Sequence, residues 1–173
     1  MKKSLCILIF LFLSFGCFSK ALAESDYVLP YPSSMPGSKF YKVRLIYDEI
    51  MKYWYFGDFA KYEYNLKMSD KYLVEAKTLF EYKQYLLAYS SLKKSDNYFI
   101  NIYPGLEKAR KKRKDITQKQ NMLKNASSKH IEVLYFISEI TPDNFIWIPE
   151  KADSTDLNLK KSIEESIKIR KDL

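Results

Sequence analysis

Two unbroken three-four repeats, separated by only four residues, constrain this chain more than anything else in it. Phe59, Tyr62, Leu66, Ser69, Leu73, Ala76 and Phe80 form the first, and Tyr85, Ala88, Leu92, Ser95, Phe99, Ile102 and Leu106 form the second. Steps of three and four place each set on one face of an α-helix. The link from Glu81 to Gln84 is short enough to force an antiparallel return. Both seams mix aromatic rings with Ala and Ser, which lets the two helices approach closely. The pattern predicts a helical hairpin over residues 59–106, with Pro104-Gly105 kinking or stopping its second arm.

Other helices flank the hairpin. Phe40, Val43, Tyr47, Ile50 and Trp54 recur at the same spacing after Ser38, a plausible N-cap. They predict a helix with these five residues on one face. Gly57-Asp58 reads as its stop and as the cap of the next helix. A fourth helix is predicted from Asp115 to Glu139, with Ile116, Leu123, Ile131, Leu134 and Ile137 inward, and Thr141-Pro142-Asp143 closing it. Residues 143–155 are mixed. Phe145, Ile146, Trp147 and Ile148 are too apolar to be left in water and are expected to pack as a lid or short turn. The last helix, roughly Ser154 to Lys171, carries Leu157, Leu159, Ile163 and Ile167. With no convincing strand signal, the expected fold is all-α, a bundle of about five helices over a single domain, 39–173. Helix pairs also build tetratricopeptide arrays. Only one pair is present here, so a bundle is preferred to a solenoid.

The N-terminus has the three parts of a secretory leader. Lys2 and Lys3 are the positive end, Leu5 to Phe18 is an apolar run broken only by Ser14 and Gly16, and Ala21-Leu22-Ala23 is a small-x-small cleavage site. Residues 1–23 are therefore read as a signal peptide. Lys20 interrupts the run before the roughly 20 apolar residues a bilayer span needs. Export to the periplasm, the cell surface or the medium is expected, with a membrane-tethered alternative through lipidation of Cys17, which Gly16 precedes. Residues 24–38 hold Pro30, Pro32, Pro36 and Gly37 and cannot be helical. They form an extended lead-in: a stiff spacer, or a strap whose Tyr27, Leu29 and Tyr31 pack on the bundle or meet a partner.

Cys6 and Cys17 both lie in the leader, so the mature chain has no disulfide and must rely on packing. The formal charge of +8 falls to +5 when Lys2, Lys3 and Lys20 leave with the leader. That excess is modest.

Several runs together resemble a domain-of-unknown-function family of exported, all-helical bacterial proteins found in small-genome candidate phyla. They are VLPYPSSMPGSKFYKVRLIYDEI, the helix with Lys61, Glu63, Leu66, Asp70, Lys71 and Leu73, then SDNYF, and SKHIEVLYFISEI with its KHxEVL motif at Lys129 to Leu134. The likeness covers most of residues 28–140. Gly57-Asp58-Phe59 stands where the family has an acid-proline pair, and residues 143–155 depart from its uninterrupted helix. The resemblance implies fold and export and no activity.

Candidates for chemistry are few. His130 is the single histidine, so no site with several imidazoles can form, and no nucleophile-base arrangement is legible. Helical spacing puts it beside the apolar seam, as a structural histidine or a pH-sensitive contact. Asp48 with Glu49, or Glu63 with Asp70, could pair as acid and base. Most acids, however, sit three or four residues from a lysine, as Glu63 and Asp70 do from Lys67, the pattern of a solvated helix surface. No enzyme, cofactor, metal or small-molecule substrate is expected. Two surfaces stand out. Tyr53 to Phe56 cannot all face inward, which makes Trp54, Tyr55, Phe56 and Phe59 the candidate surface for a protein partner at the envelope, or for a membrane interface. Lys108, Arg110, Lys111, Lys112, Arg113 and Lys114 form a basic collar, with Lys119 and Lys124 beyond, that would attract an anionic polymer or membrane surface. Scaffolding or protein binding is the leading expectation, polyanion binding through residues 108–124 the alternative, and an envelope enzyme a distant third.

Overall fold

The computed structural model describes residues 26–151 and 153–172. The predicted signal peptide, with Cys17, lies outside them. The described helices are α1 (Tyr41–Lys52), α2 (Asp58–Glu81), α3 (Tyr85–Ile100), α4 (Tyr103–Lys111), α5 (Thr117–Ile140) and α6 (Leu159–Lys171), joined by a two-residue ladder of β1 (Ile146–Trp147) with β2 (Thr155–Asp156). The fold is an all-α helical bundle.

The hairpin is α2 against α3. Its return is the turn at Tyr82 to Gln84, where Lys83 takes a left-handed φ of 57°. Every predicted seam residue of both arms is buried except Phe59 and Tyr85, which are half-buried. The second arm is interrupted at Asn101 and Ile102. Pro104 sits in the first turn of α4, where its missing N–H costs nothing, so it starts a new helix instead of bending the old one. Gly105 lets α4 cross close to α2: a Cβ there would lie 3.2 Å from the Asp58 carbonyl oxygen.

Two large apolar layers and a smaller cluster of Tyr64, Met68 and Tyr72 form. One unites Leu73, Phe80, Leu92, Leu134, Ile137 and Ile163. The other unites Tyr62, Leu66, Phe99, Ile102, Leu106 and Ala126. Between them runs a buried polar belt, one or two residues from each long helix. Arg170, wholly buried, donates from Nε to His130 Nδ1 (3.1 Å), from one Nη to Asp96 Oδ1 (2.7 Å) and from the other to Ser95 Oγ (2.9 Å). Ser166 Oγ donates to Asp96 Oδ2 (2.7 Å), and Ser69 and Ser95 bridge α2 to α3. Because Arg170 occupies His130 Nδ1 as a donor, the imidazole proton sits on Nε2 and is donated to Asp70 Oδ1, 2.7 Å away. Tyr27 O–H completes Asp70 at 2.6 Å. Burial, and next the Arg170 charge, hold the His130 pKa below its ordinary value. Asp70 is therefore no solvated partner of a nearby lysine, as its spacing suggested, and Glu63 pairs with Lys119 at 2.6 Å instead of Lys67.

The lead-in is extended: Tyr27 and Leu29 pack on the two apolar layers as a strap would, whereas Tyr31 is exposed. Ser38 is not a side-chain cap; its carbonyl accepts from Tyr41 N, and Phe40 precedes the helix. Gly57, not Asp58, takes the N-cap position of α2, with a φ of 89° that suits glycine. The segment after α5 corrects another expectation. Only Phe145 packs inward, with its ring centroid 4.7 Å from that of Tyr85, while Ile146, Trp147 and Ile148 stay exposed around the small ladder.

Candidate functional site

Helix α1 turns its apolar stripe outward. Phe40, Val43, Tyr47, Ile50 and Trp54, the residues that share one predicted helical face, all point to solvent, Val43 at 62% and Trp54 at 72% exposure. Ile46 and Tyr53 widen the same exposed stripe. What α1 turns inward is its polar side. Arg44 Nη2 meets Glu75 Oε2 at 2.5 Å, and Lys71 pairs with Asp48. Tyr41 O–H and Ser91 O–H both donate to Glu75 Oε1, at 3.1 and 2.8 Å. Tyr64 O–H donates to the Asp48 carbonyl at 2.9 Å. Arg44 also donates to Ser33 Oγ and the Ser34 carbonyl, tying the lead-in to the same node. Burial, with Glu75 alongside, pushes the Tyr41 phenol up to about 12. Met51 and Tyr55 add apolar contact, against Tyr64, Met68 and Tyr72.

The reason is local to α2. Glu75 and Lys71 lie one turn apart on the helix flank that α1 covers, and buried charges need partners. Arg44 and Asp48, four residues apart on α1, match them. Sequence reading missed Val43, Ile46, Tyr47 and Ile50 as surface residues. The available signal was this second stripe of Tyr41, Arg44 and Asp48, which is as periodic as the apolar one.

The aromatic corner divides. Trp54 and Phe56 are exposed, Phe56 at 81%, and extend the α1 stripe. Tyr55 is half-buried with its ring 5.2 Å from that of Tyr64. Phe59 is covered by the ammonium groups of Lys114 and Lys119, each 5.2 Å from its ring centre. The candidate partner surface therefore keeps Trp54 and Phe56, loses Tyr55 and Phe59 as free rings, and gains the outer face of α1.

The collar stands beside this corner. Lys108, Arg110, Lys111, Lys112, Arg113 and Lys114 are all exposed, spread over the end of α4 and the turn after it, where Arg113 adopts φ 58°. Lys112 and Lys114 reach Asp58 at 2.7 and 3.6 Å, holding its carboxyl below the ordinary range, and Arg110 lies 3.6 Å from Glu107. Among the described residues no cluster of three or more His, Cys, Asp or Glu could hold a metal, and no helix is long and apolar enough to cross a membrane.

No family model, curated protein or solved structure matches this chain.

Proposed function

We propose that the chain is an exported, non-catalytic helical module that binds another protein at the cell envelope through the outer face of α1. The observation that carries this reading is the solvent-facing stripe from Phe40 to Trp54, continued by Phe56. Its residues repeat at three and four, the spacing with which an amphipathic helix fills a groove or packs on a partner helix. A monomer gains nothing from such a stripe, and contiguous exposed apolar surface of this kind marks interaction sites. The resemblance to exported helical proteins and the leader at residues 1–23 support the envelope as the place of action.

Two measurements test the reading. A photocrosslinking residue at position 47, activated in the living cell, is expected to give one discrete protein adduct that disappears in a Val43→Lys/Ile50→Lys variant; adducts indifferent to that variant would sink it. The intact mass of the protein recovered from the envelope is expected to begin at Glu24. A lipidated Cys17 would replace release by tethering, and a retained leader would overturn both.

The collar supports a second reading, attraction of an anionic polymer or lipid surface, because Lys108, Lys111 and Arg113 remain exposed with no carboxylate partner among the described residues. Retention on heparin is expected to fall steeply with salt and to drop when Lys111 and Arg113 are neutralised.

A further inference from the structure

A cleft of about 490 Å³ opens between the end of α1, the start of α2, the end of α3 and the start of α4. We propose that it binds an acidic saccharide: a sugar ring bearing a carboxylate or a phosphate. Its volume lies within the roughly 300–1,000 Å³ typical of small-molecule sites.

The sign of the charge is set by what lines it. Lys52, Lys61 and Lys108 come from three different helices to one cleft. Lys61 and Lys108 have no carboxylate partner among the described residues, and Lys52 has only Glu49, at 3.5 Å. The one acid on the wall is Asp58, and its carboxylate is already engaged by Lys112 and Lys114, which lie outside the lining. Two helices also begin at this wall, α2 at Gly57-Asp58 and α4 at Pro104-Gly105, adding the positive ends of their dipoles. A ligand here is an anion.

The rings and amides say what kind of anion. Tyr55, Tyr64 and Tyr98 line the cleft in a row, with neighbouring centroids 5.2 and 5.9 Å apart. They are tilted by 46° and 78° to one another, with Tyr64 buried between the outer two and Tyr98 already stacked on Tyr72, so they offer ring edges and one free face and not the parallel slot a flat nucleobase stacks into. A puckered ring with C–H groups on its faces fits such a wall. Hydroxyl recognition is available from amides. Asn65 Nδ2 is spent on the Asn101 carbonyl (3.0 Å), which leaves its Oδ1 unpartnered among the described residues, and Asn97 Nδ2 is likewise unpartnered. One acceptor and one donor thus border a cationic, aromatic cleft.

The test is calorimetric titration of the purified protein with digalacturonate, glucose 6-phosphate, cellobiose and adenosine monophosphate. Saturable binding of digalacturonate or of glucose 6-phosphate is expected, the two distinguishing carboxylate from phosphate as the recognised group. Affinity should fall at least about tenfold in Lys61→Ala/Lys108→Ala, the loss of two charged hydrogen bonds. Asn97→Ala, at an exposed position outside the core, should weaken binding without altering the circular dichroism spectrum. Lys111→Ala/Arg113→Ala, just outside the cleft, should leave affinity unchanged; an equal loss in that pair would reduce the effect to diffuse attraction and overturn the proposal. So would equal binding of cellobiose, tighter binding of adenosine monophosphate, or no binding of either acidic sugar. Loss of the crosslink at position 47 has no bearing on this titration, because the Phe40–Trp54 stripe does not line the cleft.

Discussion

Helices α1 and α6 are nearly the same length, 12 and 13 residues, and both are amphipathic, yet they dock the opposite way round. Helix α6 buries Leu159, Ile163 and Ile167 and adds one cation, Arg170, to a belt already waiting for it. Helix α1 buries its charges and leaves its apolar stripe in water. Periodicity fixes the angle between two stripes on a helix; which stripe turns inward depends on what the neighbour presents. The hairpin offers α6 an apolar trough and offers α1 the buried acid Glu75.

The contrast breaks most visibly at Arg170. Arg170→Met should lose about 3–5 kcal/mol in chemical denaturation, because Asp96 stays buried without its cation and His130 and Ser95 lose their donor. Glu75→Gln should cost less, about 1.5–3 kcal/mol, the range of a hydrogen bond to a charged group. Its effect should be local: amide exchange should accelerate across α1 while α2 and α3 stay protected, and acceleration throughout the bundle would show that α1 is part of the cooperative core. A smaller effect separates the two helices by pH. His130, its pKa depressed in the fold, binds fewer protons than in the unfolded chain. Stability from this group is therefore full above 6.5 and declines as the pH falls below that value toward the depressed one. Tyr27, Asp70, Asp96 and Arg170 surround it, and protonation at Nδ1 would set an N–H against that of Arg170. In His130→Gln the acid-side decline of the melting temperature should be lost; an unchanged decline assigns it to the carboxylates. Smallest of all is Ile50→Ser on the outer face of α1, expected to shift stability by less than about 0.5 kcal/mol. A loss of the size seen for Ile163→Ala, about 2–5 kcal/mol, would mean that the stripe is covered in the protein itself.

The same contrast explains what the sequence made legible. The hairpin, α5 and α6 could be read because their apolar stripes are the ones buried, and the three-four repeat locates them residue by residue. The polar belt could not. Ser69 and Ser95 looked like small seam residues that permit close approach, and Asp70 looked like half of a surface pair with a neighbouring lysine. Only the packing of α2 against α3, α5 and α6 reveals that they face one guanidinium. The cleft was hidden for a similar reason: Lys52 and Lys61 lie about fifty residues before Lys108, and one helical turn of α4 places the latter beside them. Of the two surfaces that could be read, the collar stayed where its charges put it, whereas the aromatic corner kept half its rings and turned out to be the end of a longer stripe.

The Arg170 belt also has a timetable. Asp96 is separated from Arg170 by 74 residues and Asp70 from His130 by 60. A chain synthesised from its N-terminus delivers the hairpin first, with Asp96 on its inner surface and Arg170 still to come. Until α6 arrives, closing the two apolar layers would bury Asp96 without its cation, a cost that opposes closure. The final turn of α6 then acts as a latch, and a chain stopped short of residue 170 should emerge still loose, susceptible to proteases that the finished bundle resists.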